Sequence, residues 1–498
     1  MDARKHYDLF IIGGGINGCG LARDAAGRGF CVGLAEKGDL AGATSSASTK
    51  LIHGGLRYLE HYEFKLVREA LQEREVIWRM APHIVRPLRF ILPYHKGLRS
   101  RWLLRAGLFI YDYLGGCTQE LWRTRNIDFK STYSNILKQE YRNGFEYSDA
   151  RVDDARLVIL NARDAKKRGA DIHARCEVIG MEAREQTWFI HLYDHKTQQE
   201  KVVSASYLAN MAGPWVSTVL SKAFGDREHA PIRLVKGSHI IVRRLYDHDR
   251  AYIFQNQDGR IIFAIPYQRD FTLIGTTDCD YSGDPTDVVI SEEETAYLCG
   301  AASEYFVKPI KTHDVVWHYA GVRPLYDDGA QAAQAATRDY ILKEMDKGGA
   351  PILNTYGGKI TTYRRLAEDA MALIEKKIGT KKPAWTAKAP LPGGDFPHNQ
   401  LAKLEERIAQ ALPELDTFTH WRLARSYGTE AFEIFSSEKE KGEHFGFGLY
   451  AVEVEWLRRE EWALSVEDIL WRRSKLGLYF DDRQCASLAA YLEANRYV

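Results

Sequence analysis

Tyr7-Asp-Leu-Phe-Ile-Ile-Gly-Gly-Gly-Ile-Asn-Gly18 reads as an apolar strand, a glycine turn and the start of a helix. Gly13, Gly15 and Gly18 have the G-x-G-x-x-G spacing. Gly13 permits the tight turn, Gly15 leaves room for a pyrophosphate against the backbone, and Gly18 lets the helix pack close to the strand. The first helical N–H groups and the helix dipole then favour phosphate charge. Glycine turns of this kind also occur without a nucleotide, so the following residues matter. A second strand, Phe30 to Ala35, ends in Glu36, close to the spacing of an acid that binds ribose hydroxyls. The complete strand–turn–helix–strand–acid unit predicts an α/β, Rossmann-like nucleotide-binding domain.

Outward from this unit, composition sets the bounds. The 498 residues suffice for two or three domains with a large core. Hydrophobic residues make up 45% and charged residues 27%, ordinary values for a globular protein. The net charge of +1 gives no argument for a nucleic-acid partner. The cysteines are scattered without a C-x-x-C pair, so they read as reduced thiols, with no metal site expected. The amino terminus runs straight into the first strand, which leaves no room for a signal peptide. No apolar run approaches the roughly 20 residues of a membrane-spanning helix. The chain is expected to be soluble or to lie on a membrane.

After Glu36 comes a run of small hydroxyl residues, Leu40 to Lys50, leading into His53-Gly54-Gly55 and the pair Arg57-Tyr58. Such side chains can hydrogen-bond a phosphate or a ring edge without crowding it. Glu63 to Met80 reads as an amphipathic helix. From Val76 to Tyr111 there is no Asp or Glu but there are seven cations: Arg79, Arg86, Arg89, Lys96, Arg99, Arg101 and Arg105. Trp102, Leu103, Leu104, Leu108, Phe109 and Ile110 lie among them. A basic helix with an apolar, aromatic face suits a membrane interface, and it equally suits a helix buried on one side. Asp153 to Arg168 reads as a capped helix. Strands are expected at Asp171–Ala174, Trp188–Tyr193 and Tyr207–Met211, the last running into a turn at Gly213-Pro214. Ile232–Arg243, Ile261–Pro266 and Phe271–Gly275 alternate as strands of a separate antiparallel sheet. Pro351 to Ala367 is a strand, a Gly357-Gly358 turn and a helix. A proline- and glycine-rich stretch, Lys381 to Pro397, marks a boundary before a helical remainder in which no chemistry is legible.

Several stretches together resemble the FAD-dependent, respiratory glycerol-3-phosphate dehydrogenases of the glycine oxidase/D-amino-acid oxidase superfamily. They are Ile11–Gly18, Ala43–Glu60, Gly144–Asp149, Val152–Leu157, Lys236–His239, Gly275–Asp278, Ala320–Pro324 and Gly357–Arg364. The resemblance runs the length of the chain. It implies an FAD-binding domain made of 1–80, 144–230 and 320–388. It implies a basic membrane-facing segment, 81–143, beside a β-rich substrate domain, 231–319, and a C-terminal α-helical domain, 389–498.

By the same resemblance, FAD is held by Gly13, Gly14, Gly15, Asn17 and Gly18, with Glu36 on the adenosine ribose beside Lys37. Thr44, Ser45, Ser46, Gly54 and Gly55 pass the flavin, and Gly213, Gly357, Gly358, Lys359 and Thr361 approach it from later in the chain. The implied substrate is sn-glycerol 3-phosphate. Arg57, Tyr58, Arg338 and Asp278 are placed at the substrate, and His239, Arg323 and Lys359 at the chemistry. Arginine suits bidentate phosphate recognition, and histidine has the best intrinsic pKa for the base. Asp278 is expected either to orient His239 or to cap a turn. The resemblance further implies a homodimer on the inner, cytoplasmic face of the cell membrane, bound to anionic lipid, passing electrons to a quinone. The alternatives are a soluble oxidase using oxygen, which typically carries an insertion absent here, and a non-catalytic flavin-binding redox sensor.

Overall fold

The computed structural model describes residues 5–95, 97–116, 120–133, 135–225, 232–256, 258–327, 339–436 and 440–495. Two large sheets and a helical domain make up the architecture. The first sheet runs in the order Ile341–Lys347, Ala350–Tyr356, Gln199–Asn210, His6–Ile12, Val32–Glu36 and Asp171–Ala174. From Ala350–Tyr356 to Asp171–Ala174 every neighbour is parallel, as expected of strands joined by helical crossovers. His6–Ile12 is continuously apolar from Leu9 because both faces are covered: Ile16–Gly27 (α1), which packs against Asp154–Lys167 and Tyr363–Ile378, lies on one, and Tyr7, Phe10 and Ile12 cluster with Trp188 and Ile190 on the other. Leu9, Ile11, Leu21, Ala25, Leu157 and Ala370 are buried in the α1 layer.

The second sheet has ten strands and is mostly antiparallel. Its main path is Cys279–Asp280, Ile232–Arg243, Phe271–Gly275, Ile261–Tyr267, Ala251–Gln255, Val85–Pro93, Asn143–Val152 and Leu51–Ile52. Val315–Tyr326 pairs along the whole of Ile232–Arg243. This redraws the expected boundaries. Gly144 to Val152 and Ala320 to Tyr326 fall within the stretches expected for the nucleotide-binding domain, yet they belong to strands of the second sheet. Val85–Pro93 lies within the segment expected to face a membrane, yet it is an interior strand. Its Arg89 is buried and pairs with Glu146 of the neighbouring strand.

The basic segment therefore divides. After the long helix Phe64–Met80 (α2) and the strand, Arg101–Leu114 (α3) carries the amphipathic character. Ser100 caps it, its hydroxyl accepting from the Leu103 N–H. Only Leu108 and Tyr111 of α3 are buried. Trp102 is 86% exposed, and Leu103, Phe109, Ile110 and Tyr113 are also exposed. Trp122, from the following loop, is exposed as well.

The C-terminal domain has its own core of Leu404, Ile408, Leu423, Val454, Leu457, Ile469 and Leu488. Within this remainder, expected to be helical, Asp468–Arg473 is a π-helical turn. Arg473 of that turn grips Asp39, just past the second strand, with bonds of 2.5 and 2.8 Å. Arg156 and Glu461 form a fully buried pair across the same junction. Trp317 and Trp471 stack 3.9 Å apart between the second sheet and this domain. Breaking one buried pair by removing a partner typically costs about 3–5 kcal/mol, so these contacts seat the domain firmly.

Candidate active site

The glycine turn is shaped by contact. Gly13 has φ +116°, and a Cβ there would lie 2.6 Å from the Met211 carbonyl oxygen. A Cβ on Gly18 would lie 1.9 Å from the Gly13 carbonyl oxygen, so α1 can approach its strand only without one. Gly15 differs: a Cβ would meet only Ser45 Oγ, at 3.1 Å. That leaves an open cradle at the head of α1. Gly14 N–H donates to Glu36 at 2.7 Å and Gly38 N–H at 2.8 Å. Burial pushes the Glu36 carboxyl above its ordinary range, opposed by those two bonds. The Ile16 N–H donates to Ser45 Oγ at 3.0 Å, so the hydroxyl loop reaches the α1 terminus. Thr44 donates to the Val322 carbonyl at 2.6 Å, which ties the same loop to the second sheet. The Ser46 hydroxyl donates back to the Ala43 carbonyl at 3.1 Å, and the Ser46 carbonyl accepts from Lys50 Nζ at 2.9 Å.

The third glycine turn closes on the first. Gly357 and Gly358 both have positive φ, and a Cβ on Gly358 would meet Asn17 Nδ2 at 3.1 Å. Asn17 Oδ1 is buried without a hydrogen-bond partner. Thr361 Oγ1 accepts from the His53 N–H at 3.3 Å, beside Gly54 and Gly55. Gly54 N–H donates to Tyr111 OH at 2.9 Å. The Lys359 ammonium sits over the Tyr58 ring, 4.0 Å from its centre. Lys37 lies over Trp215, at the turn that Gly213 begins. An open cradle at Gly15, an orphaned amide at Asn17 and a carboxylate at the second strand end fit the pyrophosphate, linker and ribose of FAD.

On the second sheet, His239 has no solvent-exposed surface. Its ring stacks on Tyr319 at 4.8 Å, and Gly275 opposite leaves room for it, since a Cβ there would lie 2.1 Å from His239 Cδ2. Nε2 lies 3.0 Å from Thr49 Oγ1, and Nδ1 has no partner. Burial, then the charges of Arg323 and Lys50, hold the imidazole well below its ordinary pKa, so it is neutral. Asp278 does not orient His239. It pairs with Arg323, whose second nitrogen lies 3.5 Å from Thr276 Oγ1. Gly237 is needed beside that guanidinium, because a Cβ would lie 2.9 Å from Arg323 Nη2. Arg57 and Tyr58 lie on a half-buried 3-10 turn, Leu56–His61. Arg338 lies outside the described residues. Sequence reasoning did not single out Thr49; the run of hydroxyl residues around it was the available signal.

Residues 8–364 match the family described as FAD dependent oxidoreductase, and residues 384–494 match the C-terminal domain of alpha-glycerophosphate oxidase. The chain is 50% identical over 492 residues to a glycerol-3-phosphate dehydrogenase of Pseudomonas aeruginosa, covering 98% of this chain and 95% of that one. The chain belongs to the FAD-dependent glycerol-3-phosphate dehydrogenase family. It is an FAD-dependent oxidoreductase of the D-amino-acid oxidase superfamily fold. It is also 44% identical over 490 residues to a D-erythritol 1-phosphate dehydrogenase of Brucella abortus, covering 98% of this chain and 97% of that one. Among solved structures, a glycerol-3-phosphate dehydrogenase of Bacillus halodurans complexed with FAD superposes with a TM-score of 0.75 at 26% identity. That match covers 98% of this chain and 94% of the other.

Proposed function

We propose that this chain oxidises sn-glycerol 3-phosphate to dihydroxyacetone phosphate and passes the electrons to a membrane quinone. The observation that carries the reading is a neutral, buried His239 within the field of Arg323, joined to the flavin-side loop through Thr49. FAD held at Gly15, Asn17 and Glu36 would supply the hydride acceptor for substrate C2. The chain's own residues do the rest. Arg57, Arg323 and Lys359 supply cations for a dianionic phosphate, with Tyr58 beneath the lysine. Asp278 fixes the Arg323 fork. Because His239 has no exposed surface, the C2 hydroxyl proton reaches Nε2 through the Thr49 hydroxyl, which donates inward as it accepts outward. Loss of that proton and of the C2 hydride leaves the ketone.

Support for the quinone reading comes from α3. Trp102, Leu103, Phe109, Ile110 and Tyr113 are exposed apolar side chains on one short helix, with Arg99 and Arg101 beside them. An interface helix of that kind would rest the enzyme on the inner face of an anionic membrane, where a quinone resides. No helix of the described residues is long and apolar enough to cross a membrane. A homodimer is part of the same proposal by family likeness. The 44% identity to the erythritol-phosphate enzyme favours a second substrate reading, a longer polyol phosphate with the same reacting centre.

The test is turnover on quinone-containing anionic vesicles in air, with peroxide measured alongside. Quinone reduction matching substrate consumed, with little peroxide, is expected. Stoichiometric peroxide would replace the dehydrogenase reading with an oxidase.

A further inference from the structure

A second cluster of cations lies where the second sheet meets the C-terminal domain. It lines a cavity of about 60 Å³ whose walls include Lys50, Arg86, Arg151, Tyr267, Arg425 and Lys475. One water needs roughly 10–15 Å³ by this measure, so the space suits a small oxyanion with a few waters.

The charges in its wall are not balanced. Arg86 and Arg151 stand directly opposite each other on antiparallel strands. Like charges in that position repel. Arg151 donates to the Pro266 carbonyl at 3.2 Å, and Arg86 Nε is buried with no partner. Among the described residues, no carboxylate lies within ion-pair distance of either guanidinium. The other cations differ. Lys50 pairs with Asp154 at 2.9 Å, Arg425 with Glu405 at 2.5 Å, and Lys475 lies 3.3 Å from Asp153. Asp153, in the same wall, is felt by Arg86 but is held by Lys475; Asp249 is felt by both arginines, but its side chain is 86% exposed and faces Arg244. Burial together with mutual repulsion holds Arg86 well below its ordinary pKa, and burial lowers Arg151.

Further groups in the wall lack a hydrogen-bond partner, among them the Tyr267 hydroxyl and the His83 ring nitrogens. Tyr267 is 8% exposed and its hydroxyl is buried with no hydrogen-bond partner, while Lys475, 4% exposed, lines the cavity beside its ion-pair partner Asp153. Buried polar groups are nearly always partnered. A ligand bearing several acceptor oxygens and negative charge would satisfy Arg86, Arg151 and Tyr267 together and would share Lys475 with Asp153.

We propose that this cavity binds a tetrahedral oxyanion of the phosphate class, clamped between Arg86 and Arg151 and closed by Lys475 and the Tyr267 hydroxyl. Arg86, Arg151 and Tyr267 come from three strands of the second sheet, and Lys475 from the C-terminal domain. Occupancy therefore fastens the domain to the sheet. The same cavity touches Lys50, which follows Thr49 in the loop bonded to His239. Free phosphate and a phosphate monoester share the recognised chemistry.

The experiment is calorimetric titration of the flavin-loaded enzyme at constant ionic strength, with inorganic phosphate in one arm and phosphoserine in the other. Arg151→Met should lose one phosphate per chain relative to wild type, with flavin content unchanged. In phosphate-free chloride buffer the variant should melt higher than wild type, because the unpaired like charges are gone. Phosphate should raise the wild-type melting temperature by several degrees more than the variant's. Binding of phosphate alone would mark the ligand as the free ion; binding of both would admit a monoester. Equal stoichiometry in wild type and variant would overturn the site. Should Arg151→Met fail to load flavin, Tyr267→Phe and Lys475→Met must each weaken phosphate several-fold, and unchanged affinity in both would likewise overturn it.

Discussion

Thr49 Oγ1 lies 3.0 Å from Nε2 of His239, joining the hydroxyl-rich loop to a strand of the second sheet. If this bond carries the substrate proton, Thr49→Val should slow flavin reduction while Thr49→Ser preserves it. His239→Asn should cost roughly 10²–10⁴-fold, the usual range for a general base. Substrate affinity should change less, since the bond matters mainly in the transition state. Because His239 is held neutral, no ionisation near the ordinary histidine value should appear in the reductive rate from this residue. Stopped-flow reduction across pH checks both points. A Thr49→Val rate equal to wild type would break the relay.

The Arg323–Asp278 pair predicts a coupled loss. Arg323→Lys keeps the charge and loses the fork, so kcat/KM should fall about ten- to a hundredfold, for a charged hydrogen bond of about 1.5–3 kcal/mol. Asp278→Asn should weaken the same substrate term by releasing the guanidinium. In the double variant the losses should not add. Fully additive losses in steady-state kinetics would show that the two residues act separately.

The glycine turn separates folding from cofactor binding. Gly15→Val should fold and lose flavin, because its side chain enters the open cradle and meets only Ser45. Gly18→Val should fail to fold, because its Cβ would collide with the Gly13 carbonyl oxygen. Absorbance of released flavin and circular dichroism distinguish the two.

Stability should depend on pH through His83, which is fully buried with both ring nitrogens unpartnered. Burial, with Arg156 and Arg163 nearby, lowers it to about 3. In the unfolded chain it gains a proton below about pH 6.5. The unfolded state then binds more protons, so stability is full above that value and is lost as pH falls. The loss is about 1.4 kcal/mol for each unit below 6.5. His83→Leu should remove that share. Melting curves at pH 7.5 and 5.5 should show a smaller drop for the variant, and equal drops would contradict the assignment.

Much of this was legible in the chain. The glycine turn with Glu36, the helix after Asp153 and the strands at Ile232–Arg243 and Phe271–Gly275 follow from local spacing, which is why they could be read. The sheet membership of Val85–Pro93 could not. Pro87 and two arginines argue against an interior strand, and the partner of Arg89 is Glu146, far along the chain. Arg472 and Arg473 lie in the helical remainder where no chemistry is legible, because their carboxylate, Asp39, is distant in sequence. Thr49 was hidden among equivalent hydroxyls until His239 was placed beside it.

The most direct measurement is an anaerobic titration of the purified, flavin-loaded protein with sn-glycerol 3-phosphate, following the oxidised flavin absorbance, with D-erythritol 1-phosphate and glycerol as parallel titrants. The account predicts stoichiometric bleaching by glycerol 3-phosphate at low concentration and almost none by glycerol, which lacks the phosphate. Bleaching by erythritol 1-phosphate alone, or equal bleaching by glycerol, would contradict it.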